Sequence, residues 1–201
     1  MAITSQVDIM KFRPTELASV IEVLPNRFAD SRGYFSETFR QDLFDREIGE
    51  ENFVQENESL SRAIGTIRGL HFQKPPAAQA KLVRCTGGAI FDVAVDLRAD
   101  SPDFGRWVGV TLSEERGNQL WIPAGFAHGF CTLTPDARVS YKVTAFYSPR
   151  HDSGVACDDP DIAIDWPDLA DRSTLSAKDF ELPRLADLPT LFRIQDRTCA
   201  L

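Results

Sequence analysis

Short stretches of β-branched and aromatic residues, separated by turn residues, occupy the chain from about residue 16 to residue 147. Strands are predicted at residues 107–112, 119–122, 128–133 and 139–147. The connections between them carry turn formers, at Ser101-Pro102-Asp103, Arg116-Gly117-Asn118 and Thr134-Pro135-Asp136. Strands at such short intervals leave no room for alternating helices, so the pattern favours a β-sandwich or a β-barrel.

The first half of the chain fits the same plan with one helical exception. Residues 37–48 predict a helix, because Phe39, Leu43, Phe44 and Ile48 recur on one face. Extended segments are predicted at residues 19–24, 53–59 and 65–72, and residues 28–35 are read as a turn that leads into a strand. Lys74-Pro75-Pro76 then ends the predicted strand, since proline has no backbone N–H to donate a hydrogen bond to a sheet.

Residues 89–97 are the clearest strand. Period-two geometry places Phe91, Val93, Val95 and Leu97 on one face, and Ile90, Asp92, Ala94 and Asp96 on the other. Asp92 is unusual in such an apolar strand, so we expect it to have a partner. The pattern alone leaves open whether one face of this strand is solvated.

Composition limits the classes of partner. The 201 residues hold 22 Lys and Arg against 30 Asp and Glu, a net charge of −8, with no basic block for nucleic-acid binding. No apolar run approaches membrane-spanning length, and residues 1–6 show no signal-peptide pattern. Four widely spaced cysteines without a C-x-x-C pair are interpreted as reduced thiols, which predicts a cytoplasmic protein.

A chain of this length and pattern predicts one all-β domain spanning residues 1–201. Its barrel core is placed at about residues 16–167. Residues from about 168 to 201 have only weak helical signals and are interpreted as a peripheral segment against the barrel.

Candidate functional residues begin with two of the three histidines. His71 and His128 both lie between glycines and large apolar residues at predicted strand ends, where partial desolvation suits a general base. The default interpretation of each alone is a core histidine with one hydrogen bond. Tyr141 and Tyr147 fall on one predicted strand face and could both line a pocket, or could simply pack.

Three cations have similar alternatives. Lys81, at the entry to a predicted strand, is either a solvated edge residue or a charge aimed at an oxyanion. Arg32 and Arg68 are either surface charges or phosphate ligands.

Metal-binding cupins usually need a His-x-His pair, a carboxylate and a later histidine. Here Phe72 and Gln73 follow His71, Gly129 and Phe130 follow His128, and no local cluster of ligands replaces them. We therefore expect no catalytic metal.

A set of motifs follows in consistent order between about residue 27 and Asp179. The motifs are Arg68-Gly69-Leu70-His71-Phe72-Gln73, Gln79-Ala80-Lys81-Leu82-Val83-Arg84-Cys85, Phe91-Asp92-Val93-Ala94-Val95-Asp96, Ser101-Pro102-Asp103-Phe104-Gly105, Leu120-Trp121-Ile122-Pro123, Gly125-Phe126-Ala127-His128-Gly129-Phe130, Tyr141-Lys142, Asp158-Asp159-Pro160, Ile164-Asp165-Trp166-Pro167 and Leu175-Ser176-Ala177-Lys178-Asp179. Together they resemble the dTDP-4-dehydrorhamnose 3,5-epimerase family. The resemblance implies a cupin-like, jelly-roll β-barrel with a few short peripheral helices. It also implies a homodimer that exchanges N-terminal strands, and neither metal nor cofactor.

The resemblance implies catalytic roles at four positions. His71 would remove a proton from a sugar carbon, and Asp179 would hold and polarise it. Tyr141 would deliver a proton from the opposite face, and Lys81 would stabilise the enolate oxygen. Tyr147 would stack on the thymine ring. Further substrate contacts are implied at Arg32, Glu37, Gln55, Asn57, Arg68, Asp92, His128, Asp152 and Lys178.

Two positions depart from the family pattern, and both concern substrate contacts. Glu56 stands where the family usually has Asp, and Asp152 stands where a glutamate is common, in an altered loop at residues 148–154. The predicted activity is epimerisation of dTDP-4-dehydro-6-deoxy-D-glucose at C3 and C5 to dTDP-4-dehydro-L-rhamnose. The alternatives are an enzyme that inverts only C3 or only C5, a metal-dependent cupin, and a non-catalytic sugar-nucleotide binding barrel.

Overall fold

Two antiparallel sheets form the body of the protein. The computed structural model describes residues 9–194. The larger sheet has the order β1 (Met10–Pro14), β2 (Ile21–Pro25), β10 (Gln119–Ile122), β7 (Lys81–Gly87), β12 (Ala137–Val143) and β5 (Gln55–Ser61). The smaller sheet has the order β13 (Asp152–Gly154), β6 (Ile67–Gln73), β11 (Phe126–Thr132), β8 (Ala89–Asp96) and β9 (Trp107–Ser113). They face each other as a jelly-roll β-barrel, which confirms the predicted fold class.

The remaining elements lie around this barrel. A small hairpin joins β3 (Phe28–Asp30) to β4 (Gly33–Phe35), and one helix, α1 (Gln41–Glu47), follows it. The C-terminal segment has the short helix α2 (Ala177–Phe180) and two 3₁₀ turns, Arg172–Thr174 and Leu185–Asp187. No helix within residues 9–194 is long and apolar enough to cross a membrane.

The alternation in β8 is confirmed, and both of its faces are buried. Ile90 and Ala94 point into the barrel, where they pack with Leu112, Leu120 and Phe130. On the outer side, Val93, Val95 and other apolar residues are covered by the residues that follow β13, including Ile162, which had been assigned to the barrel core, Leu175 and Phe192. The structure therefore excludes a solvated face for this strand.

Helix α1 covers the outer face of the larger sheet but is shorter than predicted. Its Leu43 and Phe44 belong to the predicted apolar face, and they pack in one cluster with Trp121. Residues 37–40 lie outside it, and the carbonyl of Thr38 accepts a hydrogen bond from Gln119 Nε2 at 2.6 Å. Since that carbonyl is held by another strand, the helix begins only after Arg40. The ring of Phe39 still contacts that of Phe44, with centroids 5.1 Å apart, which explains the longer helical periodicity.

Strand β12 ends at Val143, four residues before the predicted end. Val143 pairs with Gln55 and Lys81, the first residues of the two neighbouring strands. Beyond it there is no strand on either side to pair with. Tyr141 and Tyr147 therefore do not share a strand face, and Tyr147 belongs to a loop. Strands β1 and β13 had not been predicted.

Of the four cysteines, Cys85, Cys131 and Cys157 are buried free thiols. Cys199 and residues 1–6 lie outside the described residues, so the absence of a signal peptide stays a prediction.

Candidate active site

A cavity of about 410 Å³ opens between the two sheets. It collects most of the candidate residues, which come from both sheets, from the loop after β12 and from α2. Those that line it are Gln55, Asn57, Arg68, His71, Lys81, His128, Tyr141, Tyr147, Asp152, Lys178 and Asp179.

His71 and Asp179 form a hydrogen-bonded pair at one wall. His71 Nε2 lies 2.7 Å from Asp179 Oδ1, and the aspartate is buried at 8 % exposure. Burial acts to raise the pKa of Asp179, but hydrogen bonds and charge from His71, with hydrogen bonds from Ser176, together lower it below its usual value. An ionised Asp179 can only accept in this hydrogen bond, so Nε2 carries the hydrogen and donates, and Nδ1 is the ring nitrogen that can take up a proton.

A bulge in β6 turns Arg68 and His71 towards the same cavity although they lie three residues apart. The register between β6 and β11 shifts at this point. Gly69 has a φ of +114°, and an added Cβ would lie 2.6 Å from the Cα of Gly129. Only glycine permits this approach of two backbones, so the Arg68-Gly69-Leu70-His71 motif has a direct geometric cause.

Lys81 is an inward-facing residue, which settles the alternative of a solvated edge. Its side chain is buried, and Nζ donates to the carbonyl of His71 at 3.2 Å. Desolvation lowers the pKa of Lys81 to about 8, while the charges of Asp92 and Asp152 act to raise it. A cation held this way stabilises negative charge that develops beside it.

His128 pairs with Asp92 on neighbouring strands of the smaller sheet. His128 Nε2 lies 2.8 Å from Asp92 Oδ1, so the partner expected for Asp92 is present. Burial lowers the pKa of His128, although Asp92 acts to raise it, and the imidazole is therefore neutral near pH 7. Asp92 is fully buried, and its Oδ2 has no hydrogen-bond partner among the described residues.

Tyr141 reaches the cavity from the opposite wall. It lies on β12 of the larger sheet, whereas His71 lies on β6 of the smaller one. Burial raises the pKa of Tyr141, with Asp152 and Tyr147 adding to the rise and Arg68 opposing it. The phenol therefore stays protonated at neutral pH and can act as an acid.

Three residues connect across the mouth of the cavity. The hydroxyl of Tyr147 donates to Asp152 Oδ2 at 3.1 Å, and the ammonium of Lys178 pairs with the same oxygen. The ring of Tyr147 is 56 % exposed. Asp152 thus ties the loop after β12 to α2, the helix that carries Asp179.

Three candidates do not line this cavity: Asp92, which pairs with His128, and Arg32 and Glu37. Arg32, at the tip of the β3–β4 hairpin, has an 88 % exposed side chain that pairs with Asp30. Glu37 lies close to Arg40, with 3.9 Å between Oε1 and Nη1. Glu56, the departure from the family pattern, binds Lys142 and Ser140 beside the cavity residues Gln55 and Asn57.

The cavity is also lined by residues that the sequence did not predict to be part of the site: Ser59, Phe72, Gln73, Gln79, Gly129, Phe130 and Ser176. Period-two alternation was the available signal for two of them. Ser59 continues the row of Gln55 and Asn57 in β5, and Gln73 lies two residues after His71 in β6. Within residues 9–194, no three His, Cys, Asp or Glu side chains converge as metal ligands.

Comparison with known proteins matches this arrangement to one family. The family model for dTDP-4-dehydrorhamnose 3,5-epimerase matches residues 14–187. The chain belongs to this family. The dTDP-4-dehydrorhamnose 3,5-epimerase of Sinorhizobium fredii (strain NBRC 101917 / NGR234) is 53 % identical over 189 residues, which cover 94 % of this chain and 96 % of that protein.

Solved structures of epimerases have the same fold. The dTDP-6-deoxy-D-glucose-3,5-epimerase of Legionella pneumophila Philadelphia 1, in complex with dTDP-4-keto-L-rhamnose, superposes with a TM-score of 0.86 at 40 % identity, over 92 % of this chain and 99 % of that one. A 3'-monoepimerase from Streptomyces bikiniensis, in complex with dTDP-quinovose, gives a TM-score of 0.84 at 35 % identity, over 91 % and 93 %. Double and single epimerases therefore share this barrel.

Proposed function

We propose that this epimerase-family protein inverts C3 and C5 of dTDP-4-dehydro-6-deoxy-D-glucose to give dTDP-4-dehydro-L-rhamnose, in dTDP-L-rhamnose synthesis. One observation carries the proposal. The base His71, which pairs with the carboxylate of Asp179, enters the cavity from one sheet. The protonated phenol of Tyr141 enters the same cavity from the opposite sheet. Inversion beside a ketone needs this arrangement, because the proton must leave one face of the carbon and return to the other.

The chemistry follows from the positions of four side chains. Nδ1 of His71 takes the proton from carbon, and Asp179 stabilises the imidazolium that forms. The C–H electrons move to the C4 carbonyl oxygen, and the ammonium of Lys81 stabilises the resulting enolate. The hydroxyl of Tyr141 then protonates the carbon from the opposite face, which restores the ketone. Solvent then takes the proton from His71 and returns one to Tyr141, and the same sequence at the second carbon completes the reaction.

The rest of the cavity supplies groups for a nucleotide sugar. Arg68 and Lys178 offer positive charge to the diphosphate, and Gln55, Asn57 and neutral His128 offer hydrogen bonds, with Asp92 holding His128. The exposed ring of Tyr147 at the mouth offers a stacking surface to the thymine base, and Asp152 holds its hydroxyl.

The proposal includes a cytoplasmic homodimer of single-domain chains without metal or cofactor. The β3–β4 hairpin supports the dimer, because its Phe28, Tyr34 and Phe35 are exposed large apolar side chains. Arg32 and Glu37, which do not line the cavity of their own chain, would complete the cavity of a second chain. Light scattering of purified protein tests this, and a monomeric mass would contradict it.

Turnover of dTDP-4-dehydro-6-deoxy-D-glucose in deuterium oxide tests the activity. We expect deuterium at both C3 and C5 and formation of the L-rhamno product. Deuterium at one carbon, with inversion at that carbon alone, would support the alternative of a mono-epimerase. The structural match to a 3'-monoepimerase favours this alternative. No exchange at either carbon, with dTDP still bound, would support a binding barrel. Stoichiometric iron, manganese or zinc in active protein would revive the metal-dependent cupin.

A further inference from the structure

Packing does not hold the side chain of Tyr147 in place. Its ring is 56 % exposed, and the neighbouring Phe146 is 69 % exposed. Both lie in the loop that follows β12, where no strand pairing holds the backbone. An exposed ring on a free loop would lose much of its stacking energy to the entropy of ordering that loop. Thr144 still donates from its backbone N–H to the carbonyl of Ala80, so something else must hold residues 145–148.

Gln73 holds this loop with its side-chain amide. Its Oε1 accepts from the backbone N–H of Ser148 at 2.6 Å, and its Nε2 donates to the carbonyls of Phe146 at 3.2 Å and Ala77 at 2.7 Å. The amide orientation is fixed, because a backbone N–H requires the oxygen and the carbonyls require the NH₂ group. The side chain is 4 % exposed, so water does not compete for these bonds.

Two other glutamines hold the same loop, Gln55 from β5 and Gln79 from the segment before β7. Gln55 Oε1 accepts from the N–H of Tyr147 at 2.9 Å, and Gln79 Nε2 donates to the carbonyl of Ala145 at 2.6 Å. Of the three, Gln73 contacts the loop on both sides of Tyr147, through Phe146 and Ser148. It also lies opposite Asp152 in the β6–β13 ladder, and Asp152 binds the hydroxyl of Tyr147.

We propose that Gln73 is a positioning residue for nucleotide binding, which fixes the backbone around Tyr147 so that the ring is preordered for the base of the substrate. This inference rests on the proposed function, since it takes Tyr147 as the residue that meets the base. Gln73 itself acts through Tyr147, and the chemistry at His71 and Tyr141 does not depend on its amide.

Binding of dTDP by calorimetry and turnover of the keto sugar test this inference in four proteins: wild type, Gln73→Met, Tyr147→Ala and the double variant. Methionine keeps the length of glutamine and removes its hydrogen bonds. We expect Gln73→Met to weaken dTDP binding about fivefold, the scale of one lost hydrogen bond. KM should rise by a similar factor, with kcat changed less than about twofold. Tyr147→Ala should weaken dTDP binding about tenfold, and Gln73→Met should add nothing in that background.

Asn118→Leu is the matched control. The amide of Asn118 also makes three hydrogen bonds, to Ser113, Glu22 and Thr111, but does not border the cavity. This variant should lower the melting temperature and leave dTDP affinity unchanged. If Gln73→Met does not fold, Gln79→Met removes a single bond to the same loop and should weaken dTDP binding in the same direction.

Unchanged dTDP affinity in Gln73→Met, or an equal loss with and without Tyr147, would overturn the positioning role while leaving the proposed function intact. Wild-type protein that neither binds dTDP nor epimerises the keto sugar would overturn both.

Discussion

The imidazole Nε2 of His71 and the carboxylate Oδ1 of Asp179 lie 2.7 Å apart, although 108 residues separate them in the chain. The contact exists because the C-terminal segment returns over the smaller sheet, where Leu175 and its neighbours cover the outer face of β8. Ser176 caps the short helix α2 by accepting from the N–H of Asp179. The C-terminal segment thus contributes Asp179 to the cavity, where we propose that its carboxylate orients the base.

Asp179→Asn should keep an oxygen to accept from Nε2–H and lose the charge that stabilises the imidazolium. We expect kcat to fall about 100-fold or more, the usual scale for an impaired general base. Steady-state turnover of the keto sugar measures the effect. Asp187→Asn, an exposed aspartate of the same segment, should be as active as wild type. Equal activity of the two variants would contradict a catalytic role for Asp179.

Tyr141→Phe separates the two proton transfers. His71 should still remove a proton and return deuterium to the same face, so we expect exchange with solvent without inversion. Inversion should fall about 100-fold or more, because the opposite face has lost its acid. Proton NMR in deuterium oxide measures both.

His71→Ala gives the comparison for this experiment, because it should lose exchange as well as inversion. Inversion by Tyr141→Phe at the wild-type rate would show that another group delivers the proton.

The pKa of Lys81, lowered to about 8 by burial, predicts the alkaline side of the pH profile. Only the protonated amine stabilises an enolate, so kcat/KM should fall as pH rises through about 8. Lys81→Arg keeps its charge at high pH. Whatever activity it retains should therefore lack this decline. Lys81→Met should cost about 100- to 1000-fold in kcat, as for a lost oxyanion donor. An unchanged decline in Lys81→Arg would assign it to another group.

The sequence predicted those parts of this molecule that depend on local pattern. Alternation located β8 and its two faces, and the proline break after Lys74 placed the end of β6 at Phe72, one residue before its observed end at Gln73. The end of β12 at Val143 could not be predicted from the local sequence, because it depends on where the neighbouring strands β5 and β7 begin. The start of α1 was missed for a similar reason, since Thr38 is held by Gln119 from a distant strand.

The candidate site divides in the same way. Motif resemblance pointed to His71, Lys81, Tyr141 and Asp179, and the fold brings all four to one cavity. Their pattern in sequence cannot show that Lys81 is buried or that Gln73 holds the loop of Tyr147. Both properties arise from the way neighbouring strands close around the cavity. Arg32 and Glu37 do not line the cavity of their own chain, and in the proposed dimer they would contact the substrate of a second chain.

The last prediction concerns the charge of buried Asp92 and its effect on the pKa of Lys81. The charge of Asp92 acts to raise the pKa of Lys81, so Asp92→Asn should lower that pKa further below about 8. The alkaline decline of kcat/KM should then begin at lower pH. His128 should stay neutral, because Asp92 also acts to raise the pKa of His128, and an amide oxygen can still accept from Nε2–H.

Asp136→Asn is the control for charge, since Asp136 pairs with Arg62 at the surface, with both side chains more than half exposed. It should leave the pH profile unchanged, because solvent screens that charge. In the double variant Lys81→Arg/Asp92→Asn the shift should vanish, since arginine keeps its proton throughout this range. A shift that persists without Lys81 would mean that Asp92 acts on catalysis through His128 instead.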